Sequence, residues 1–274
     1  MLSTSKIKDI IKESNEEKLD GLINLLLSDK RKSVEALGKK LKNEKLKKEN
    51  EIKRVKAMYN FDLSYGTNIL IAGADEVGRG SLAGPITAAA VILDLEAFPE
   101  KLILEINDSK KISSKKREEL SEIIKEKAIA FNIFSLDNKE IDEKGIGFCN
   151  QKVLEKAATG LNPKPELVLS DGYPIKNIQI KNNYIIKGDS KSASIACASI
   201  IAKVFRDNLM KEYASMYPEY KLNSNAGYGS KEHIEAIKKY GITPIHRKSF
   251  LTNIFYSKTK AWIYINPILL IEHI

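Results

Sequence analysis

Apolar residues recur at three- and four-residue spacing through the first 65 or so positions, then gather into short continuous runs separated by glycine-rich turns. The first pattern predicts helices. Ile7, Ile10 and Ile11, then Leu19, Leu22, Ile23 and Leu26, form helical stripes. Val34, Leu37 and Leu41, followed by Ile52, Val55 and Met58, continue them at lower density. Proline is absent from this stretch and Tyr65-Gly66-Thr67 ends it, so a domain boundary is expected there.

The second pattern is that of an α/β domain. Residues 68–74 read as a strand buried on both faces. Residues 86–93 read as a second strand, antiparallel to the first if a short loop joins them, and 128–135 as a third. Short strands are expected at 167–170 and 184–187. Helices are expected at 115–127, 144–159, 190–216 and 231–240. The 190–216 helix is apolar nearly all round between Ile195 and Phe205, so it belongs in the core.

Charge adds an asymmetry. The net charge is +9, and residues 1–56, with 16 Lys+Arg and 10 Asp+Glu, carry +6 of it. A basic segment on a nearly balanced body suits a polyanion-binding arm or a solvated Lys/Glu surface. No apolar run reaches membrane-spanning length. The candidate at 261–271 is short and contains Asn266 and Pro267. Lys6, Lys8, Asp9 and Lys12 break any signal-peptide pattern. Cys149 and Cys197 have no partner at metal spacing and read as reduced, buried thiols of a cytoplasmic protein.

Candidate chemistry concentrates where the first strand ends, in Gly73-Ala74-Asp75-Glu76-Val77-Gly78-Arg79-Gly80. Carboxylates at a rigid strand end are hard oxygen ligands for a divalent cation. The Gly-Arg-Gly turn lets backbone approach a ligand and adds a fixed positive charge. A dinucleotide loop is excluded because the glycine at 84 comes one residue late, and the acids would repel a pyrophosphate. Asp171 ends a later strand and is followed by glycine. Asp207 lies on the long helix beside Lys203 and Arg206. Strand-end acids and a helix acid converge only if the strands are neighbours and the helix crosses them.

Together these segments resemble bacterial ribonuclease HII, a type 2 ribonuclease H. The run from Gly73 to Gly80, with Gly84-Pro85, looks like that family's signature. Asn107-Asp108-Ser109-Lys110-Lys111 and Ile141-Asp142-Glu143-Lys144-Gly145-Ile146 match in order. So do Ser170-Asp171-Gly172, Lys187-Gly188-Asp189-Ser190-Lys191-Ser192-Ala193-Ser194-Ile195-Ala196 and Ala202-Lys203-Val204-Phe205-Arg206-Asp207. Gly227-Tyr228-Gly229 and the run from Gly241 to Phe250 complete the set, which spans about residues 68–255. Val77 and Cys197 stand where alanine is commoner.

The resemblance implies an α/β, ribonuclease H-like fold with a central mixed sheet flanked by helices. It implies a basic helical extension over 1–66, a catalytic domain over 67–257 and a tail over 258–274. Four metal-binding, catalytic acids would fall on Asp75, Glu76, Asp171 and Asp207, holding Mg2+ or Mn2+, two ions with substrate bound. Gly78-Arg79-Gly80 would read the ribonucleotide 2′-hydroxyl, and Tyr228 would pack at the ribo-to-deoxy junction. Lys110, Lys187, Lys191 and Arg247 would contact backbone phosphates. His246 reads as structural or phosphate-facing, His233 and His273 as surface, and Trp262 and Tyr264 as caps on a hydrophobic surface.

The implied substrates are RNA–DNA hybrids and duplex DNA containing ribonucleotides, cut by a metal-dependent endoribonuclease that is cytoplasmic and monomeric. The sister ribonuclease HIII is a weaker match, since Glu is typical there where Asp207 stands and its N-terminal domain contains a sheet. A non-catalytic hybrid-binding protein would be expected to have lost an acid.

Overall fold

The computed structural model describes residues 3–14 and 16–256. The expectations for the tail, including Trp262, Tyr264 and His273, lie outside the described residues. The chain divides between Lys56 and Ala57 into two compact units.

The first unit is helical. It contains α1 (Thr4–Glu13), α2 (Glu16–Leu27) and most of α3 (Lys32–Leu63). Ile7, Leu26 and Val34 are buried together, with Ile11, Leu22, Leu37 and Leu41 packed against them. Ile10, at the edge of the predicted stripe, is exposed. Several lysines of this unit are held in ion pairs: Lys39 with Glu35, and Lys45 with Asp20 and Glu49. Such exposed pairs contribute little stability.

The second unit is built on a five-stranded sheet: β1 (Ile71–Val77), β2 (Ile86–Ile92), β3 (Ala130–Leu136), β4 (Leu167–Asp171) and β5 (Lys181–Ile185). The spatial order is β3-β2-β1-β4-β5. β1 runs antiparallel to β2 and parallel to β4. The helices that follow in chain order are α4 (Ser114–Lys127), α5 (Asn138–Lys144), α6 (Ile146–Thr159), α7 (Ala193–Met216), α8 (Leu222–Asn225), α9 (Lys231–Tyr240) and α10 (Lys248–Tyr256).

Side chains of β1 alternate between the two faces, as a strand requires. Ala72 and Ala74 join a core with Cys149, Val153, Leu154 and Ala157 of α6. Gly73 faces α7, whose first turn lies so close that a Cβ would collide with the backbone of Ser194 and Ile195. Backbone cannot yield as a side-chain end can. Gly73→Ala is therefore expected to destabilise the fold by at least about 2 kcal/mol, in the overpacking range, measured as a loss in denaturant midpoint.

The start of α7 is secured twice. The Ser192 hydroxyl accepts from the Ile195 N–H, and Asp62, in the last turn of α3, accepts from the Ser194 N–H at 2.8 Å and the Ser194 hydroxyl at 2.7 Å. Both devices satisfy amides that a helix start leaves without intrahelical partners. Burial pushes the Asp62 carboxyl up to about 6, although its serine partners pull the other way.

The strands and helices stand close to where the hydrophobic pattern put them, with several shifts. β1 continues three residues further than expected, because β2 keeps pairing through Asp75↔Ala89, Glu76↔Ala88 and Val77↔Thr87. Both acids thus lie inside the strand. The helix expected at 144–159 is α6, which starts at Ile146 after Gly145 takes φ 80°, and a separate helix, α5, capped by Asp137, precedes it. The long helix starts at Ala193 rather than 190, since Lys187 is left-handed and residues 188–190 form a 3-10 turn. β5 runs from Lys181 to Ile185 rather than over 184–187; it ends early for the same reason, and it starts early because it pairs with β4 from Leu167↔Lys181. Helices α5, α8 and α10 are not among those the pattern predicts.

Candidate active site

Asp75 and Glu76 are consecutive in β1 and so leave it on opposite faces. Asp75 turns toward α7, where Ser199 lowers its carboxyl, and its Oδ1 accepts the Glu76 N–H at 2.8 Å. Glu76 turns toward α6 and is bonded by the Asn150 side chain. Asn150 Oδ1 is itself buried without a partner. The parallel register ends on Ala74↔Ser170, so the next residues, Asp75 and Asp171, stand beside each other at the carboxyl ends of neighbouring strands, at roughly the 5 Å inter-strand spacing.

These carboxylates oppose one another. Burial pushes Asp75 well above the usual carboxylate range, with the Glu76 and Asp171 charges adding to the shift. Burial also raises Glu76; Arg79 counteracts it and Asp171 reinforces it. Asp171 Oδ1 accepts the Gly188 N–H at 2.6 Å, which draws the 188–190 turn onto the end of β4.

That turn brings in an acid the sequence reasoning did not select. Asp189 is half-buried, and its carboxyl is raised by burial, then by Asp171 and Asp108, while Lys110 and Lys111 lower it. It faces the same negative centre. Asp207 does not. Its Oδ1 is 2.6 Å from Lys203 Nζ and its Oδ2 is 3.4 Å from Arg117 Nη2. It lies eight residues past Ser199 on α7, about 12 Å along the axis. Asp189, rather than Asp207, is the acid that feels the Asp171 charge, and the function proposed below uses it as the fourth acid. The available signal was Gly188-Asp189 directly after a strand, a mirror of Asp171-Gly172.

The glycine-rich loop is held from beneath by two buried arginines. Arg206 donates to the carbonyls of Pro85 at 2.9 Å, Ala226 at 2.8 Å and Ala83 at 3.1 Å. Arg247 donates to those of Gly84 at 2.9 Å and Arg79 at 3.1 Å. Arg247, expected to contact phosphate, is fully buried instead and acts on the loop's backbone. Burial, then the neighbouring Arg206 charge, pushes its guanidinium down to about 9. Gly78 has φ 88°, and a Cβ there would meet Arg206 and the Pro85 carbonyl. Gly80 faces open space.

The same network ties Tyr228 to this loop. The Gly227 carbonyl accepts from the N–H groups of Leu82 at 2.8 Å and Ala83 at 3.2 Å. The Tyr228 ring is partly exposed and lies 5.6 Å from the Arg206 guanidinium carbon. Arg79 is exposed over the Tyr173 ring at 5.2 Å. A cleft of 330 Å3 opens beside them, lined by Arg79, Asn150, Gln151, Tyr173 and Lys176 among others. Lys110, Lys187 and Lys191 are exposed around the Asp189 turn. His233 and His246 are both buried, so the surface reading of His233 is corrected.

Among the described residues no three acids, histidines or cysteines stand close enough to hold an ion as placed. The chemistry of the donor set nevertheless fits a divalent cation. Asp75, Glu76, Asp171 and Asp189 are hard oxygen donors, three of them raised by burial and mutual repulsion that a bound cation would relieve.

Acids gathered at the carboxyl ends of adjacent strands, on a mixed sheet between helices, define a ribonuclease H-like enzyme. The family model for ribonuclease HII matches residues 72–253, and that for the ribonuclease HII N-terminal domain matches residues 3–66. A ribonuclease HII of Clostridium acetobutylicum is 60% identical over 254 residues, covering 92% of this chain and 100% of that protein. One of Clostridium beijerinckii is 60% identical over 233 residues, 85% of this chain and 86% of that protein. The crystal structure of the ribonuclease H2 from Pyrococcus horikoshii superposes with a TM-score of 0.58 at 25% identity, covering 67% of this chain and 96% of that one. The chain belongs to the ribonuclease HII family. It is an endoribonuclease of the ribonuclease H class, acting on RNA–DNA hybrids, and the sister-type and non-catalytic readings are set aside.

Proposed function

We propose that this enzyme also cuts on the 5′ side of single ribonucleotides embedded in duplex DNA, leaving 5′-phosphate and 3′-hydroxyl ends. The observation that carries this is the bonding of the 226–228 turn to the 78–85 loop through Gly227, Leu82, Ala83 and Arg206. A hydroxyl-reading turn and a sugar-packing ring are thereby set on one rigid support next to the acids.

In this reading Asp75, Glu76, Asp171 and Asp189 hold divalent cations, two when substrate is present. When bound, such ions would supply the activation of water and the neutralisation of charge on the phosphate and the leaving oxygen. The chain's own groups place the substrate. Backbone of Gly78-Arg79-Gly80 meets the 2′-hydroxyl, the one group that separates RNA from DNA. Ser199 and the Glu76 amide orient Asp75, and Asn150 orients Glu76. Lys110, Lys187 and Lys191 balance backbone phosphates, and the Tyr228 ring packs on the deoxy sugar across the junction.

The test is a pair of Tyr228 variants. Tyr228→Phe is expected to retain cleavage of a duplex carrying one ribonucleotide. Tyr228→Ala is expected to lose about ten- to a hundredfold in kcat/KM, on the scale of a lost aromatic stack. Equal activity of the two variants would remove Tyr228 from recognition. No helix among the described residues is long and apolar enough to cross a membrane, and we assign the enzyme to the cytoplasm.

A further inference from the structure

Behind Tyr228 lies a buried polar chain. His233 of α9 and His246, two residues before α10, are 0% and 1% exposed. Their Nε2 atoms are 3.1 Å apart. His233 Nδ1 is 2.9 Å from the Tyr228 carbonyl oxygen. A carbonyl only accepts, so Nδ1 of His233 carries the proton and its Nε2 is bare when the ring is neutral. At the other end, the Thr243 N–H donates to His246 Nδ1 at 2.9 Å. His246 therefore carries its proton on Nε2 and donates it to His233. The bonds run in one direction, from the Thr243 amide through both rings to the Tyr228 carbonyl.

An added proton would break the single direction of this chain. Charging His233 would set two N–H groups against each other at the Nε2 contact. Charging His246 would set its Nδ1–H against the Thr243 N–H and leave the Thr243 hydroxyl, 2.8 Å away, as its acceptor. Burial holds both rings below the ordinary histidine range, His246 at about 4 with the His233 charge as a further cause. The Tyr220 ring closes the site, with centroids 5.1 Å from His246 and 6.2 Å from His233.

The Tyr228 carbonyl also accepts from the Ser230 N–H at 2.8 Å, and the Tyr228 N–H donates to the Asn225 carbonyl at 2.9 Å. Its backbone is thus held on both sides, while its ring projects to the surface. We propose that the His233–His246 pair is a positioning unit for Tyr228, fixing the angle at which the ring meets the sugar at a ribo-to-deoxy junction. This rests on the reading of Tyr228 given above. Neither histidine touches substrate; both act through the tyrosine.

A satisfied pair of core histidines with no such role would affect all substrates alike, and that separates the two cases. His233→Gln, His246→Gln, Tyr228→Ala and the two double variants would be assayed on a duplex with one ribonucleotide and on a uniform RNA–DNA hybrid, which has no junction. Each histidine variant is expected to lose about tenfold in kcat/KM on the first substrate and less than about threefold on the second, and to add less than about twofold in the Tyr228→Ala background. Equal losses on both substrates, or losses that multiply in the double variants, would overturn the positioning role. Unchanged junction cleavage by Tyr228→Ala alone would overturn the reading of Tyr228 beneath it.

A second measurement needs no variant. The chain has three histidines, so 15N-labelled imidazoles are readily resolved. At neutral pH the account requires one buried ring protonated at Nδ1 and the other at Nε2. A charged ring, or two rings of the same tautomer, would refute it.

Discussion

Asp75→Asn is expected to lower hybrid cleavage by a thousandfold or more while raising the stability of the metal-free protein. The loss follows from removing one ligand of a site asked to supply several kcal/mol, at about 1.4 kcal/mol per tenfold. The gain follows from burial and from the Glu76 and Asp171 charges, which disfavour an ionised Asp75. A carboxyl whose folded pKa is raised contributes stability that is full below its unfolded value near 4 and is lost as pH rises through the folded value. The stabilising difference between variant and wild type should therefore be largest at neutral pH and shrink toward about pH 4. Melting curves over that range check it. Mg2+ should raise the wild-type melting temperature more than the variant's, because an ion that binds only the folded state stabilises it. Retention of more than about a tenth of wild-type cleavage would contradict the metal assignment.

The second large effect discriminates between two aspartates. Asp189→Asn is expected to match Asp75→Asn in lost cleavage, because Asp189 shares the field of Asp171. Asp207→Asn removes a carboxylate already paired with Lys203 and Arg117. Its expected cost is chiefly in stability, about 1–3 kcal/mol for partners left unpaired in a partly buried site, with kcat changed less than about fivefold. Steady-state kinetics under saturating Mg2+ and denaturant titrations of both variants settle the matter. A dead Asp207→Asn with an active Asp189→Asn would restore the original assignment.

Much of this site is legible in the chain itself. The apolar run before Asp75 announces a buried strand, and the glycines after it a tight loop. Asp171 shows itself the same way, since a strand-end acid followed by glycine reads as a turn or a ligand. Less visible is what depends on tertiary contact. Asp189 looks like a turn residue until the Asp171–Gly188 bond folds its loop onto β4. Asp207 reads as well placed because α7 does cross the acid-bearing strand; the residues of α7 that lie against that strand include Ser194, more than three turns earlier. Arg247 and His233 were misread for one reason: a polar residue in a polar stretch suggests surface. Here the carbonyls of the 78–85 loop and of Tyr228 need buried donors, and those residues provide them.

The central claim is that a single 2′-hydroxyl, met by the Gly78-Arg79-Gly80 turn beside the acids, licenses cleavage. The direct measurement compares two duplexes of identical sequence in Mg2+, one carrying a single ribonucleotide and the other its deoxy equivalent. The account predicts one cut, on the 5′ side of the ribonucleotide, leaving a 5′-phosphate on the downstream fragment, and no cut in the all-DNA duplex. Comparable cutting of the two duplexes would contradict it.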